Sequence, residues 1–355
     1  MIDSSSAWAV TGFLVKILIE WLFSSSFKKF LTILSSSEWN DITANLPPPD
    51  SALTALGKKS FRFSNSLFTS ILRAWNVLVA GWILPNWNFL ALEPTTSFTL
   101  VVHDLSFERN PFWYGPKQRL WHRALRPRAL VARAHRIIAV SEWTKHDLCT
   151  RYGVAPEKIT VLYPTPSAVT GNELFPLPPA IAGNRFILFF AAIEVRKNPL
   201  SLVEAFEHIA AKHADLHLVI AGKFGYGAEH VFAAAARSRF RDRIHVLGYV
   251  SAEMRRSLYA TATVFAYPSF YEGFGIPLLD AMRAGLPIVT SNRSAMPEVI
   301  GDAGILIDPG AVGELALALD ALLSDATFAR ALAARARERA VRFPEQMQVT
   351  ERIFF

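Results

Sequence analysis

Three short segments combine residue types and spacing that could do chemistry. In Glu194-Val195-Arg196-Lys197-Asn198, two adjacent cations stand just before a helical pattern. Cations at a helix N-terminus oppose its dipole at a cost of several tenths of a kcal/mol, so an anion lying between them would explain the arrangement. A diphosphate fits, with each charge-assisted hydrogen bond to it contributing about 1.5 to 3 kcal/mol. The plain alternative is an exposed basic turn. The second segment runs Pro268-Ser269-Phe270-Tyr271-Glu272-Gly273-Phe274-Gly275-Ile276-Pro277 and on to Asp280. Its glycines permit close backbone approach to a ligand, and Pro277 suits the first helical position, leaving free amides facing that ligand. Glu272 precedes the helix and Asp280 lies on it, a separation suited to gripping two ends of one ligand. A helix cap and an exposed aspartate are the alternatives. The third is Val101-Val102-His103-Asp104, where a His-Asp pair follows a strand and Asp104 could equally cap the next turn.

These segments need elements to hold them. From Phe186 onward short apolar runs alternate with helical patterns, the signature of a parallel sheet covered by helices. The expected strands are Phe186–Ala191, Leu216–Ala221, Ile244–Leu247, Thr263–Tyr267, Pro287–Thr290 and Gly304–Ile307. The expected helices include Pro199–Lys212, Ala228–Arg237, Ala252–Tyr259, Pro277–Ala284 and Val312–Leu323. Strands are also expected at Phe98–His103, Ile137–Val140 and Ile159–Tyr163, the middle one running into Ser141 as N-cap of a helix over Glu142–Arg151. Ligands of such sheets bind at the carboxyl ends of the strands, where all three segments fall. Prolines and glycines cluster between Pro164 and Gly183, which marks a linker. The expected organisation is an N-terminal Rossmann-like domain over 1–170 and a C-terminal Rossmann-like domain over 183–338. The segment 339–355 is expected to return to the first domain.

Length and composition agree with two such domains. The chain has 355 residues, 51% hydrophobic and 19% charged, which excludes most disordered or coiled-coil readings. One cysteine, Cys149, can form neither an internal disulfide nor a thiolate metal site, so a cytoplasmic location is expected. The early apolar run is broken by Lys16 and Glu20 and predicts neither a membrane span nor a signal peptide. The formal net charge of +7 is uneven: Asn110 to Arg136 holds Lys117, Arg119, Arg123, Arg126, Arg128, Arg133 and Arg136 with no acidic residue. Such a stripe attracts polyanions or an anionic membrane surface, and with Trp113 and Trp121 it fits peripheral attachment to the inner membrane face. No nucleic-acid-binding module accompanies it, so nucleic acid is not an expected partner.

Taken together, Glu194-Val195-Arg196-Lys197-Asn198, Leu247-Gly248-Tyr249-Val250-Ser251, Tyr267-Pro268-Ser269 and Glu272-Gly273-Phe274-Gly275-Ile276-Pro277 resemble the retaining glycosyltransferases of family 4 (glycosyl transferases group 1) in order and spacing. The resemblance continues through Gly285-Leu286-Pro287, Met296-Pro297-Glu298-Val299 and Gly304-Ile305-Leu306-Ile307-Asp308-Pro309, and more weakly to Val102-His103-Asp104-Leu105, Ile137-Ile138-Ala139-Val140-Ser141 and Thr11-Gly12. It implies an α/β GT-B fold, two Rossmann-like doubly wound parallel-sheet domains facing a cleft. It also implies transfer of a hexosyl group, mannosyl by the same likeness, from a nucleotide diphosphate sugar to a glycan or lipid-linked glycan in polysaccharide biosynthesis.

By that resemblance His103 and Glu272 are the catalytic candidates. Donor contacts fall to Arg196, Lys197, Val250, Gly273, Phe274, Gly275, Asp280, Met296 and Glu298, and the acceptor side to Gly12 and Asp104. Arg196 and Lys197 would hold the diphosphate, Glu272 the sugar hydroxyls, Asp280 the ribose and Val250 the base. Retention is then assigned to front-face attack, with no cofactor; the chain has no Asp-X-Asp, in agreement with a metal-independent site. The sequence departs from the family at Asp280, where glutamate is usual, at Ala191, where glycine is usual, and at its N-terminus, where the opening strand is nearly absent. A nucleotide-sugar epimerase or hydrolase of GT-B architecture, and a catalytically degenerate glycosyltransferase subunit acting as a binding partner, are the alternatives.

Overall fold

The structure, a computed structural model, describes residues 82–87, 96–164 and 174–343, all within one compact unit spanning Ser64–Phe355. Thr11-Gly12, the early apolar run and residues 344–355 lie outside the described residues. The first sheet is parallel and ordered β1 (Trp82–Leu84), β2 (Phe98–Val102), β3 (Arg136–Ala139) and β4 (Ile159–Val161). Helices α1 (Ser106–Arg109), α2 (Pro116–Ala124) and α3 (Pro127–Arg133) follow β2, and α4 (Glu142–Tyr152) follows β3. The core beneath them is small and holds Phe98, Leu100, Val102, Leu105, Ile137 and Leu148. Ser141 caps α4 as expected, its Oγ accepting from the amide of Thr144 at 3.0 Å.

The second sheet has six parallel strands: β5 (Arg185–Phe190), β6 (Leu216–Ala221), β7 (Ile244–Gly248), β8 (Val264–Tyr267), β9 (Ile288–Ser291) and β10 (Ile305–Ile307). Their spatial order is β10-β9-β8-β5-β6-β7, so the chain winds outward from β5 and then returns to its other side at β8. Central strands covered on both faces must be apolar at every position rather than alternating. Phe186, Ile187, Leu188 and Phe189 of β5 are accordingly all buried, each contributing about 1.5–3 kcal/mol of burial energy. The covering helices are α5 (Pro199–Ile209), α6 (Ala228–Arg237), α7 (Ala252–Thr261), α8 (Ile276–Ala284), α9 (Met296–Ile300), α10 (Val312–Ser324) and α11 (Ala326–Ala340). Each strand expected in this half lies within a residue or so of its observed bounds. Pro277 takes the second helical position of α8 rather than the first, which belongs to Ile276.

Two details shape the site. In an open sheet of this winding the ligand crevice opens where the strand order reverses, outside the carboxyl ends of β5 and β8. Those two strands deliver Arg196-Lys197 and Glu272 respectively. Beside them Gly222 follows β6 at φ +145°, and a Cβ there would lie 1.7 Å from the carbonyl oxygen of Ala191. The close backbone approach needed at this spot is thus made by Gly222, and Ala191 meets it with its main chain. Past α11, the ring of Phe343 packs against Tyr163 and Phe274, with centroids 5.4 and 5.5 Å away.

Candidate active site

The centre of the site is a buried cluster of charge. Lys197 ends a short 3-10 turn, Val195–Lys197, and its Nζ donates to Oε1 of Glu272 and to the hydroxyl of Tyr267, the latter at 3.2 Å. Tyr267 also donates to Oε1 of Glu272 at 2.8 Å, and the Glu272 amide donates to Ser294 Oγ at 2.9 Å. Arg196 lies alongside, Nη1 3.5 Å from Glu272 Oε2 and 2.9 Å from the carbonyl of Tyr271, Nη2 3.1 Å from Glu194 Oε1. Asp104, from the loop after β2, reaches Arg196 at 3.7 Å. Burial alone would raise the pKa of Glu272, but Lys197 and Arg196 hold it below the ordinary carboxylate range. Burial works against the charge of Arg196 too, and Glu272 and Asp104 more than offset it, so its pKa is raised. The exposed basic turn is therefore excluded for Lys197, which is 9% exposed. Arg196 Nε is buried with no hydrogen-bond partner among the described residues.

The loop carrying Glu272 is also where the two sheets touch. A Cβ on Gly273 would fall 1.6 Å from the carbonyl oxygen of His103, so only glycine lets the main chains pass. The Gly273 carbonyl accepts from Ser141 Oγ at 2.5 Å and Thr144 Oγ1 at 3.2 Å, both at the start of α4. Tyr271 donates to the fully buried Asp147 at 2.5 Å, and Arg109 holds the same carboxylate at 2.6 Å. Glu298 completes the contact. Its carboxylate accepts from the amides of Glu142 and Trp143 at 2.8 and 3.0 Å, capping α4 from the other sheet and matching the positive end of its dipole.

The other candidates divide into two groups. Asp104 joins the cluster from the first sheet, and its Oδ1 accepts from the amide and hydroxyl of Ser106 at 2.9 and 2.5 Å, whereas the ring of His103 contacts its own sheet, Nε2 lying 2.8 Å from the carbonyl of Pro85. The capping turn considered for Asp104 thus coexists with its contact to Arg196. Gly275 ends the loop ahead of α8, while Phe274 and Met296 are buried in the core of the second sheet. Asp280 stands apart, half-way along α8, with Oδ2 3.7 Å from Arg255 Nη2 on α7. Burial pushes its pKa up to about 6, against the pull of Arg255 and Arg283. Val250 follows β7 and packs against the second core. Gly12 lies outside the described residues.

Sequence reasoning missed Tyr267, Tyr271, Asp147 and Ser294. Tyr267 and Tyr271 flank the glutamate loop and could have been suspected from their hydroxyls, but Asp147 sits mid-helix and becomes significant only through contact with a residue 124 positions away. A cleft of about 800 Å3 opens beside the cluster, with Arg109, Trp113 and Trp143 on one wall and Phe270, Tyr271 and Arg293 on the other. Trp113, grouped by sequence with the surface aromatics, stacks on Phe270 in this cleft at 6.3 Å.

Comparison with known proteins agrees with this geometry. The family profile described as Glycosyl transferases group 1 matches residues 175–339, and that of Glycosyltransferase Family 4 matches residues 52–165. The O-antigen chain mannosyltransferase B of Escherichia coli is 29% identical over 263 residues, 71% of this chain and 68% of that protein. The MMP alpha-(1->4)-mannosyltransferase of Mycolicibacterium hassiacum is 32% identical over 235 residues, 65% of this chain and just over half, 56%, of that protein. Among solved structures, WaaG, a glycosyltransferase involved in lipopolysaccharide biosynthesis, superposes with a TM-score of 0.60 at 20% identity over 81% of this chain and 80% of its own. Anabaena Alr3699/HepE in complex with UDP and glucose gives a TM-score of 0.60 at 19% identity, covering 73% and 70% of the two chains. These structural likenesses show a shared fold, GT-B.

Two outcomes follow from the electrostatics. Breaking one side of a buried ion pair costs about 3–5 kcal/mol. Lys197→Met and Glu272→Gln should each lower stability on that scale, and the double variant should fall short of the sum by about 1–3 kcal/mol. Additive losses in a denaturant double-mutant cycle would dismiss the pair as the centre of the cluster. Asp280 has the opposite sign: its folded pKa of about 6 exceeds the ordinary 3.8, so its ionised form weakens the fold. The penalty is absent below about pH 4, grows to about 3 kcal/mol by pH 6 and stays constant above. Asp280→Asn should therefore raise the melting temperature at pH 8 and leave it unchanged at pH 4; equal shifts at both would contradict the assignment.

Proposed function

Because the chain belongs to the family 4 glycosyltransferases, also described as glycosyl transferases group 1, we propose that it moves a hexosyl group, mannosyl first, from a nucleotide diphosphate sugar to a glycan or lipid-linked glycan with retention of configuration. The observation that carries this reading is the pair Arg196-Lys197 facing Glu272 at the switch point of the second sheet, between the ends of β5 and β8. The mannosyl choice rests on the two relatives named as mannosyltransferases. The division into domains over 1–170 and 183–338, with 339–355 returning to the first, belongs to the same proposal.

The residues have distinct tasks in it. Without a donor, the two cations face three carboxylates, those of Glu272, Glu194 and Asp104. A diphosphate replaces Glu194 and Asp104 on Arg196, because both side chains retain access to water and can turn toward it, while Glu272 stays buried beside Lys197 and offers Oε2, which Arg196 approaches only to 3.5 Å, to sugar hydroxyls. As the sugar–phosphate bond lengthens, negative charge gathers on the departing nucleotide. Arg196, Lys197 and the amides ahead of α8 stabilise it, one such preorganised donor being worth about 10²–10³ in rate. His103 faces the reacting sugar from the first sheet, Asp280 takes the ribose, and no metal is required.

A membrane-facing surface is part of the proposal. Phe112, Leu120 and Trp121 are exposed, at 75%, 69% and 48%, beside Lys117, Arg119 and Arg123 on α2 and the turn before it. No helix among the described residues is long and apolar enough to cross a membrane. An apolar tip ringed by cations instead suits the interface of an anionic bilayer at the cytoplasmic face.

Calorimetric titration with GDP- and UDP-sugars in EDTA tests the donor reading. One donor should bind the natural protein and lose at least a hundredfold in affinity with Arg196→Ala/Lys197→Ala; a folded protein that binds none would refute transfer. For the surface, each cation near the bilayer contributes about 1 kcal/mol. Lys117→Ala/Arg123→Ala should weaken co-sedimentation with phosphatidylglycerol vesicles by roughly 30-fold, and phosphatidylcholine vesicles should bind neither form. Retention unaffected by the substitutions or by lipid charge would remove the membrane from the proposal.

A further inference from the structure

One cation at the carboxyl end of the second sheet has no part in the cluster around Glu272. Arg255, the fourth residue of α7, is half-buried, and its guanidinium lies 6.0 Å from the ring centre of Phe190, the last residue of β5. A cation over an aromatic face is held there by the ring quadrupole. Phe190 packs in turn on Tyr259, one turn further along α7, with ring centres 5.5 Å apart. Tyr259 is buried and donates its hydroxyl to the carbonyl of Pro277 at 3.2 Å, which pins α7 to the start of α8. Arg255 therefore stands on a fixed aromatic floor at the strand end that also leads to Arg196 and Lys197. From that floor Nη2 comes within 3.7 Å of Oδ2 of Asp280 on α8. We propose that Arg255 is a positioning residue of the donor site: it holds the short carboxylate of Asp280 charged and turned toward the ribose, so that recognition of the ribose hydroxyls depends on Arg255 as well as on Asp280. This inference rests on the donor reading above.

Geometry and charge support it separately. A separation of 3.7 Å attracts without forming a hydrogen bond, so the oxygens of Asp280 keep their capacity to accept from hydroxyls. A guanidinium at bonding distance would have taken up one of them. Burial lifts the pKa of Asp280 to about 6, and the cations that reach it are Arg255 on α7 and Arg283 on its own helix, both pulling it down. Arg283 is exposed, so water screens its charge, whereas Arg255 is held partly in protein. Tyr259, which also faces Asp280, has its pKa raised well above its ordinary value by burial and stays neutral. Without Arg255 the carboxylate would keep its proton to a higher pH and offer weaker acceptors. A glutamate at the same position would reach one methylene further toward water and need the arginine less.

Calorimetric titration with GDP and UDP and with their 2′,3′-dideoxy forms tests the inference, because the diphosphate is common to each pair and only the ribose hydroxyls differ. In the natural protein at about pH 8, whichever nucleotide binds should lose about tenfold or more in affinity without those hydroxyls, the scale of a hydrogen bond to a charged group. Arg255→Gln should shrink that ratio to about threefold or less, and Arg255→Gln/Asp280→Glu should restore it. The ratio should also fade in the natural protein as the pH drops through about 6, and in Arg255→Gln at a higher pH. Should Arg255→Gln fail to fold, Phe190→Leu, which removes the ring beneath the guanidinium, takes its place with a loss of about threefold in the ratio. An equal loss of affinity for the ribose and dideoxy nucleotides would overturn the inference, since Arg255 would then act on the phosphates or on the fold. A natural protein that binds nucleotide and ignores the ribose hydroxyls would overturn it too, with the diphosphate site left standing. One that binds neither GDP nor UDP would instead strike the underlying reading.

Discussion

The organisation of this molecule depends on a cation that is buried before any ligand arrives. Lys197 lies in protein rather than water, and an isolated ammonium there would cost several kcal/mol. Glu272 and Tyr267 make its position tolerable, and both come from β8 and the loop after it. The constraint propagates outward. Because Glu272 must reach back to Lys197, the residue after it is forced against the main chain of His103, and position 273 has no room for a side chain. The positive charge that suits a diphosphate is therefore not carried on a flexible surface arm. It is fixed between adjacent parallel strands whose own packing holds its carboxylate partner.

The same loop joins the electrostatics of the cluster to the contact between sheets. Tyr271 reaches Asp147, Gly273 receives hydroxyls from Ser141 and Thr144, and one turn away Glu298 caps α4. None of these bonds touches Arg196 or Lys197 directly, but those of Tyr271 and Gly273 hold the peptide segment that presents Glu272. Asp104 adds a path from the opposite side, since it binds both Arg196 and the start of α1. A donor that displaces Asp104 from Arg196 alters a contact between the sheets as well as a charge in the site.

How much of this could be read from sequence follows from the range of the interactions. Strands β5 to β10 were legible because buried parallel strands must be continuously apolar and are bounded by polar turns, a local property. Ser141 was legible for the same reason, since a cap and its amide lie three residues apart. The short β1 carries no alternation to detect, and α11 presents a repeating alanine and arginine pattern without a broad apolar stripe. In the site, the pairing of cations with a glutamate loop was visible in residue type and order. Their burial was not, because it is set by Tyr267 and by neighbours some 70 positions away in the chain. Glu298 illustrates the limit: its local sequence resembles a donor loop, and its carboxylate binds a helix start 156 residues earlier.

Asp280 shows why a conservative exchange is not a neutral one. Shortening a glutamate by one methylene on a helix face retracts the carboxylate toward the backbone, here into a setting where burial raises its pKa despite Arg255 nearby. At neutral pH it is ionised but poorly solvated, so hydrogen bonds from two hydroxyls would relieve a cost that the free protein carries. That relief would appear as affinity. The same physical logic applies at Arg196, where the proposal has phosphate oxygens take the place of the carboxylates of Glu194 and Asp104. Across the site, the ligand-free chain holds charge in positions that its own groups satisfy only in part, and a vicinal diol joined to a diphosphate has the complementary groups for both.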